Sequence, residues 1–428
     1  MNDSNLTSSK PLPFYYLLLL IIAGEAVFIL PFVLARVFRP TVLEAFQLTN
    51  TELGLCYSVY GLVALPAYLL GGPLADRFPP RKLIAIALWT TALGGLVYAS
   101  YPSTTVLKFL YGYWGLTTIF LFWAAMIKAT RVWGGNDSQG KAFGFLDGGR
   151  GLVGACFGLL GVIIFSLFAT GNLEDIQFEE RKEAFKYVVW VSAAIVALVG
   201  ILVWFFLKSN RNEKEILVER ITMKEVVMLL KIPSVWLLMI IILCAYVGYK
   251  ITDIFSQYAN EVMNYNEVDS AKVGTFLLFI RPFVGIFIGF IADRSRVTLW
   301  LTISFLLSIF GAVLFAMGFI APTTTALFFL SVLITASGIY AARSLYFATM
   351  KEGKIPLVLT GTAVGLISLV GYTPDIFAGA AMGYLLDGTP GMGGHQNVFW
   401  MLTCFSAVGG IASFIFWRWS AKSKSENN

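Results

Sequence analysis

Apolar runs as long as a bilayer is thick constrain this chain more than any other feature. Residues 14–35 read FYYLLLLIIAGEAVFILPFVLA, residues 187–207 read YVVWVSAAIVALVGILVWFFL and residues 235–248 read VWLLMIIILCAYVG. Roughly 20 residues of helix cross the hydrocarbon core. In lipid no water is present to satisfy backbone N–H and C=O groups, so runs of this kind fold as helices that satisfy their own. Only 13% of the 428 residues are charged, where a soluble domain carries about 25%. Too few charges are present for a water-facing surface of this size. The first run is too long for a cleaved leader, has no small-residue cleavage site and precedes many more spans, so it is expected to stay in the chain.

Apolar windows between polar breaks predict an all-α polytopic membrane protein of twelve transmembrane helices, at about 13–37, 51–75, 82–101, 104–130, 140–169, 185–208, 232–260, 268–292, 297–319, 323–350, 356–386 and 397–419. The longest polar stretch, KSNRNEKEILVERITMKEVVMLLK, falls between the sixth and seventh. It divides the chain into a six-helix half (1–208), a charged, helical cytoplasmic linker (209–231) and a second six-helix half with a cytoplasmic tail (232–428). Arg77, Arg81, Lys82, Arg131, Lys141, the linker cations, Arg294, Arg296, Lys351, Lys354, Arg418, Lys422 and Lys424 fall on one side. Arg39, Lys108, Arg181, Lys182 and Lys186 fall on the other, beside Glu174, Asp175, Glu179, Glu180 and Glu183. Short cationic loops stay in the cytoplasm, which puts both termini there. The net charge of +6 thus reads as membrane orientation rather than nucleic-acid binding.

The segments GGPLADRFPPRK (71–82) and GFIADRSR (289–296) share the pattern G-x-x-A-D-R: Gly72, Ala75, Asp76 and Arg77, then Gly289, Ala292, Asp293 and Arg294. The two aspartates are 293 − 76 = 217 residues apart, about half the chain, and each follows the second helix of its half. A tandem duplication of six helices explains motif, helix order and loop side together. The first segment resembles the loop signature of the major facilitator superfamily, G-x-x-x-D-R-x-G-R-R between helices two and three, with Pro79 and Pro80 at the usual glycine and Arg81 and Lys82 keeping the charge. The resemblance implies the major facilitator fold, and a conformational latch formed by Gly72, Asp76, Arg77, Arg81, Asp293 and Arg294. An aspartate there suits a helix N-terminus, where an anion gains roughly 0.3–1 kcal/mol.

Charges at membrane depth cost several kcal/mol unless paired or hydrated, so each marks a candidate site. Helix one carries Glu25 near its middle and Arg36 further along. Asp147 and Arg150 on helix five, and Lys250 and Asp253 on helix seven, are spaced i, i+3, which predicts a self-neutralising pair on each helix. Arg281 lies near the centre of helix eight, where it either meets an anion or is a structural arginine bonded to backbone carbonyls or to Asp147, and Asp375 lies on helix eleven. Arg343 and Lys128 sit toward the cytoplasmic ends of helices ten and four, which suits an inner gate. Subtracting 217 maps Asp253 onto Arg36 and Arg281 onto Ala64, so the Arg281 charge occurs in one half only. Glu25, Asp147, Asp253 and Asp375 are the candidates for proton or ion coupling.

Transporters of the resembled family line a central cavity with helices 1, 4, 7 and 10. The helix-eight sequence IRPFVGIFIGFIADR resembles the nitrate/nitrite porter branch, where an arginine at this depth binds the anion, though helix two carries no matching arginine. Arg36 and Lys250 resemble in position the basic residues of organophosphate antiporters on helices one and seven. The resemblance implies a small anionic solute bound by Arg281, Lys250, Arg36, Tyr249 and Tyr372, moved by alternating access and coupled to a proton, sodium ion or counter-solute, in a monomer in a bacterial inner membrane. A multidrug exporter using Glu25 and Asp375 is the alternative, with a non-transporting sensor behind it; helix five reads GRGLVGACFGLLG, without the proline of drug antiporters. No G-x-x-x-x-G-K-[ST] loop appears, so ATP is not the expected drive. Cys56, Cys156, Cys244 and Cys404 have no paired spacing, and the single His395, in a Gly-rich loop, rules out a histidine metal site or a nucleophile–His–acid enzyme. No cofactor or metal is expected.

Overall fold

The computed structural model describes residues 13–134, 139–168, 177–207, 223–350, 352–355 and 360–425. Among them, eleven helices are long and apolar enough to cross a membrane. A twelfth, Pro80–Tyr98, holds the expected third place and packs on the sixth, where the Trp89 indole donates to the Ala197 carbonyl. The others are helix one Phe14–Val37, two Asn50–Arg77, four Thr104–Gly134, five Gln139–Phe168, six Phe178–Phe206, seven Pro233–Glu261, eight Glu267–Asp293, nine Val297–Ala316, ten Thr325–Leu345, eleven Ala363–Gly388 and twelve Met392–Ser425. Helix six begins earlier than the sequence predicts because Phe178–Glu183 winds into its first turns. Of the charged linker, Met223–Leu230 is helical and residues 208–222 lie outside the described residues.

Local chemistry sets the ends and bends. Thr49 and Glu52 form a reciprocal capping box at helix two, and Asn266 caps helix eight. Pro80 and Pro233 begin helices three and seven, where a missing N–H costs nothing. Pro31 lies in a π-helical turn, Ile29–Val33, that bends helix one between Glu25 and Arg36. Helix seven tightens to a 3₁₀ turn over Thr252–Ile254, and helix eleven breaks between Gly371 and Pro374. Each of these three turns adjoins a buried charge, where backbone freed from lipid can be tolerated.

Burial divides the bundle as the repeat does. One apolar core runs from Tyr16 to Leu207 and takes in Val268, Ala271 and Leu278 of helix eight. Two others belong to the second half, one around Phe255, Phe315 and Phe399, the other around Leu238, Phe305 and Phe416. Large apolar side chains such as Leu62, Leu69, Phe283, Phe287 and Phe290 stay exposed on the outside, as a lipid-facing surface requires.

The halves meet along two antiparallel seams. On the first, helices two and eleven touch backbone to backbone: a methyl group on Gly54 would lie 2.3 Å from the Gly379 carbonyl oxygen, and one on Gly383 would lie 2.4 Å from that of Asn50. On the second, Gly158 of helix five meets Thr275 and Gly151 meets Pro282 of helix eight. Both seams come apart toward the end holding the two Ala-Asp-Arg segments, called here the motif end. A methyl on Gly72, Gly365, Gly144 or Gly289 would meet nothing within 4 Å. The bundle is therefore closed at the far end and splayed at the motif end.

Candidate functional site

The charges that the sequence puts at membrane depth meet between the halves. Arg36 Nε of helix one lies 2.5 Å from Asp253 Oδ1 of helix seven, and Arg281 Nη2 of helix eight 2.8 Å from Asp147 Oδ1 of helix five. Both pairs bridge the halves. Lys250 Nζ lies 2.6 Å from Asp375 Oδ1, between helices seven and eleven, and Arg150 Nε 3.4 Å from Glu25 Oε2, between helices five and one. Arg343 joins them from helix ten, its guanidinium carbon 3.7 Å from the centre of the Tyr249 ring.

This pairing corrects two expectations. Lys250 does not neutralise Asp253, and Asp147 does not neutralise Arg150; each takes a partner from another helix. An i, i+3 pair on one helix gains only about 0.2–0.5 kcal/mol, whereas opposite charges that are both buried, as in Arg36 with Asp253 and Lys250 with Asp375, attract more strongly. The 3₁₀ turn at Thr252–Ile254 changes the helical spacing between Lys250 and Asp253, and Asp253 meets helix one while Lys250 meets helix eleven. Arg343 is a third correction: rather than joining Lys128 at a gate, it belongs to the central cluster.

Tyr249 is the hub. Its hydroxyl accepts from Arg36 Nη1 at 3.0 Å, and the guanidinium carbons of Arg36 and Arg281 stand 4.6 and 6.0 Å from its ring centre. Tyr246 stacks beside it at 5.7 Å and donates its hydroxyl to Asp375 at 3.1 Å. Tyr372 meets Tyr246 edge-on at 4.8 Å and stacks with Tyr68 of helix two at 6.3 Å. Lys250 lies over the Phe32 ring, and Arg150 over Phe28 and Trp123. Tyr68, Tyr246, Tyr249, Tyr372 and Arg343 all keep part of their surface exposed.

Among the described residues, several buried donors in this cluster lack a hydrogen-bond acceptor: Arg150 Nε, Arg281 Nε and Arg343 Nη1. Leaving a buried donor unmet costs about 1–3 kcal/mol, more for a charged group. Two unmet guanidinium N–H groups near one half-exposed ring suit a negatively charged ligand group. Among the described residues no group of three His, Cys, Asp or Glu side chains has metal-site geometry.

The remaining candidates lie toward the motif end. Lys128 donates to the Ala75 carbonyl at 2.9 Å, tying helix four to the end of helix two. Arg81 stands over the Trp204 ring at 5.6 Å, and Arg77 and Arg294 are exposed. The side chains of Asp76 and Asp293 lie outside the described residues. The carboxylate that meets a helix N-terminus here is Glu352, which accepts from the Val297 backbone N–H at 2.8 Å and the Thr298 hydroxyl at 2.6 Å.

At the far end a polar chain escaped the sequence reading. Arg39 donates to Gln257 at 2.7 Å, Gln257 donates to Glu261 at 2.6 Å, and Glu261 meets His395 at 2.9 Å. Arg39 also donates to Asn50. Asp387 of helix eleven accepts from the backbone N–H groups of Asn50 and Thr51 at 3.1 and 2.7 Å, capping helix two from the other half. Arg181 bridges Glu44 and Glu267. His395 is fully buried in the first turn of helix twelve, not in a loop, because helix twelve starts at Met392. The 217-residue spacing was the available signal, since Arg39 and Gln257 are 218 apart.

The Major Facilitator Superfamily family model matches residues 17–379. The chain belongs to the major facilitator superfamily. It is thus a multi-pass membrane transporter and not an enzyme. It is 28% identical over 375 residues to the inner membrane protein YqcE of Escherichia coli (strain K12), covering 86% of each chain. It is 27% identical over 421 residues to the inner membrane protein YihN of the same organism, covering 95% of this chain and 96% of that one. Its fold is similar to a bacterial homologue of the human lysosomal transporter Spinster in an inward-facing and occupied conformation, with a TM-score of 0.72 and 17% identity, covering 96% of this chain and 98% of that one. It is also similar to the nucleoside transporter NupG, with a TM-score of 0.69 and 15% identity, covering 94% of this chain and 99% of that one.

Proposed function

We propose that this superfamily member moves a small anionic solute by alternating access, the halves 1–208 and 232–428 rocking about the charge cluster, with residues 209–231 as the link. The observation that carries this reading is Arg343. Among the described residues Arg36, Arg150, Lys250 and Arg281 each have a carboxylate, and Arg343 has none. Its unmet Nη1, beside the unmet Arg281 Nε, supplies the attraction. In this reading Arg281 and Arg343 hold the anion, Tyr249 and Tyr372 form the wall, and Lys250 and Arg36 act through their carboxylates. The exporter alternative needs a free buried acid, and its two candidates, Glu25 and Asp375, are both paired.

Glu25 is the proposed proton carrier, because its ion pair with Arg150 is the loosest of the four and its Oε2 has no hydrogen bond. Asp147, Asp253 and Asp375 serve as counter-charges that release their cations as the solute binds. The cation-rich loops support a cytoplasmic motif end and cytoplasmic termini, and the names of YqcE and YihN support a bacterial inner membrane. The open motif end then makes this an inward-open state, with Lys128, Arg81 and the two Asp-Arg segments closing it in the other state. A monomer suffices, since one chain contains both halves.

The test is thermal stabilisation of the purified protein by anions, sugars, amino acids and lipophilic cations. A ligand at 100 times its dissociation constant adds roughly 2.7 kcal/mol. The expected result is stabilisation by an anion, lost in Arg343→Gln. Stabilisation by cations or neutral compounds alone overturns the reading.

A further inference from the structure

Resting on that reading, we infer that the solute carries a single negative charge on a ring-shaped body: the cavity has one surplus cation, set at the end of a tyrosine wall. Among the described residues, the charges of the central cluster other than Arg36 and Asp253 are Glu25, Asp147, Asp375, Arg150, Lys250, Arg281 and Arg343. Three cation–carboxylate pairs cancel among them, which leaves Arg343. Arg36 and Asp253 cancel at the far-end boundary. Beyond them Arg39 is matched through Gln257 by Glu261. One monoanion therefore leaves the site neutral. A dianion leaves a net negative charge, which is disfavoured once the site closes and excludes water unless a carboxylate takes up a proton.

The body of the solute follows from what borders Arg343. Tyr249, Tyr246, Tyr372 and Tyr68 form a continuous run of rings with neighbouring centres 5.7, 4.8 and 6.3 Å apart. All four are part-exposed, so they offer ring surface to a ligand. The run starts at the Arg343 guanidinium, 3.7 Å from the Tyr249 centre, and crosses from helix seven through helix eleven to helix two of the other half. An apolar face of a sugar or aromatic ring can cover such a wall while its charged group reaches Arg343.

Four probes separate the terms in a binding assay on the full-length protein: glucuronate and benzoate (ring, one charge), glucose 6-phosphate (ring, two charges at pH 7.5), lactate (one charge, no ring) and glucose (ring, no charge). At pH 7.5 one of the two ring monoanions should bind at least tenfold tighter than the phosphate, lactate and glucose. Which of them binds distinguishes a sugar acid from an aromatic acid. Arg343→Gln should lose at least tenfold in affinity, and Arg343→Lys, which keeps the charge, should retain most of it; Tyr372→Ala should weaken the ring monoanion and leave lactate unchanged. Glucose 6-phosphate binding as tightly as the ring monoanions, lactate matching them, or neither ring monoanion binding would overturn the single-charge ring proposal while an anion transporter survives. Binding of glucose alone would overturn both.

Discussion

Gly54→Ala should convert the closed far end into an open one. In this structure the added methyl would lie 2.3 Å from the Gly379 carbonyl oxygen and 2.6 Å from the Ala380 nitrogen. Ordinary contact begins near 3.4 Å, so helices two and eleven must separate by 3.4 − 2.3 = 1.1 Å at that level. Neither obstacle is a side chain that can swing aside. Overpacking of this kind costs about 1–3 kcal/mol, and only in the state whose far end is shut. A differential of that size shifts a two-state equilibrium by about 5- to 150-fold. Gly72→Ala is the matched control. Gly72 is 18 residues, five turns, from Gly54 on the same face of helix two and meets nothing within 4 Å here. Its methyl costs nothing in this state and obstructs closure of the motif end, where Gly72 and Gly365 stand at matching heights on antiparallel helices.

Spin labels on Ser103→Cys and Thr323→Cys, exposed far-end loop positions in different halves, read the outcome in a background where Cys56, Cys156, Cys244 and Cys404 are replaced. Gly54→Ala should enrich the long-distance population, and Gly72→Ala should deplete it. An unchanged distribution in a folded Gly54→Ala protein, or the same direction of change in both variants, refutes the seam argument.

Two further outcomes rest on the far-end contacts. Arg36→Asp alone strands Asp253 in a buried site and should lower stability by about 3–5 kcal/mol; adding Asp253→Arg should restore most of it, and a melting temperature that fails to recover excludes the ion pair as the cause. Asp387→Ala removes the cap that helix eleven gives helix two, so it should cost about 1 kcal/mol and enrich the long Ser103–Thr323 distance, whereas a purely local cap would lower stability and leave that distance unchanged.

The fold was legible because lipid leaves so few choices. Runs of about 20 apolar residues specify helices on their own, and the Gly72–Arg77 and Gly289–Arg294 segments specify the repeat. Which charges lie at depth was legible for the same reason. Their pairing was legible only in part: Asp147 was one structural partner open to Arg281, but Lys250 with Asp375 and Arg150 with Glu25 lie far apart in sequence and no local pattern links them. Arg343 was misplaced for a different reason. Linear distance from a helix end predicts depth, but a long guanidinium stem carries the charge away from its own backbone level, here onto Tyr249 of helix seven. The caps from Asp387 and Glu352 were missed because each serves a helix remote in sequence.

In the proposed reading, repeat arithmetic separates the charges that belong to the architecture from those that serve the solute. Residues related by a two-fold axis, if they lie near it, face each other. Arg36 and Asp253, 217 apart, do so, and Arg39 and Gln257, 218 apart, do the same. Their polarity is therefore shared by both halves and closes the far end. The other charges have no polar counterpart: shifting by 217 takes Glu25 to Ile242, Asp147 to Val364, Arg150 to Ile367, Lys250 to Val33, Arg281 to Ala64, Asp375 to Gly158 and Arg343 to Met126. Apolar residues at the equivalent places serve the scaffold well enough, so helix packing does not require these charges. Three cation–carboxylate pairs cancel one another, and a buried pair is a weak source of stability. What remains is the Arg343 charge, which only one half carries and which no described residue pairs with a carboxylate of its own; in the proposed reading the solute balances it.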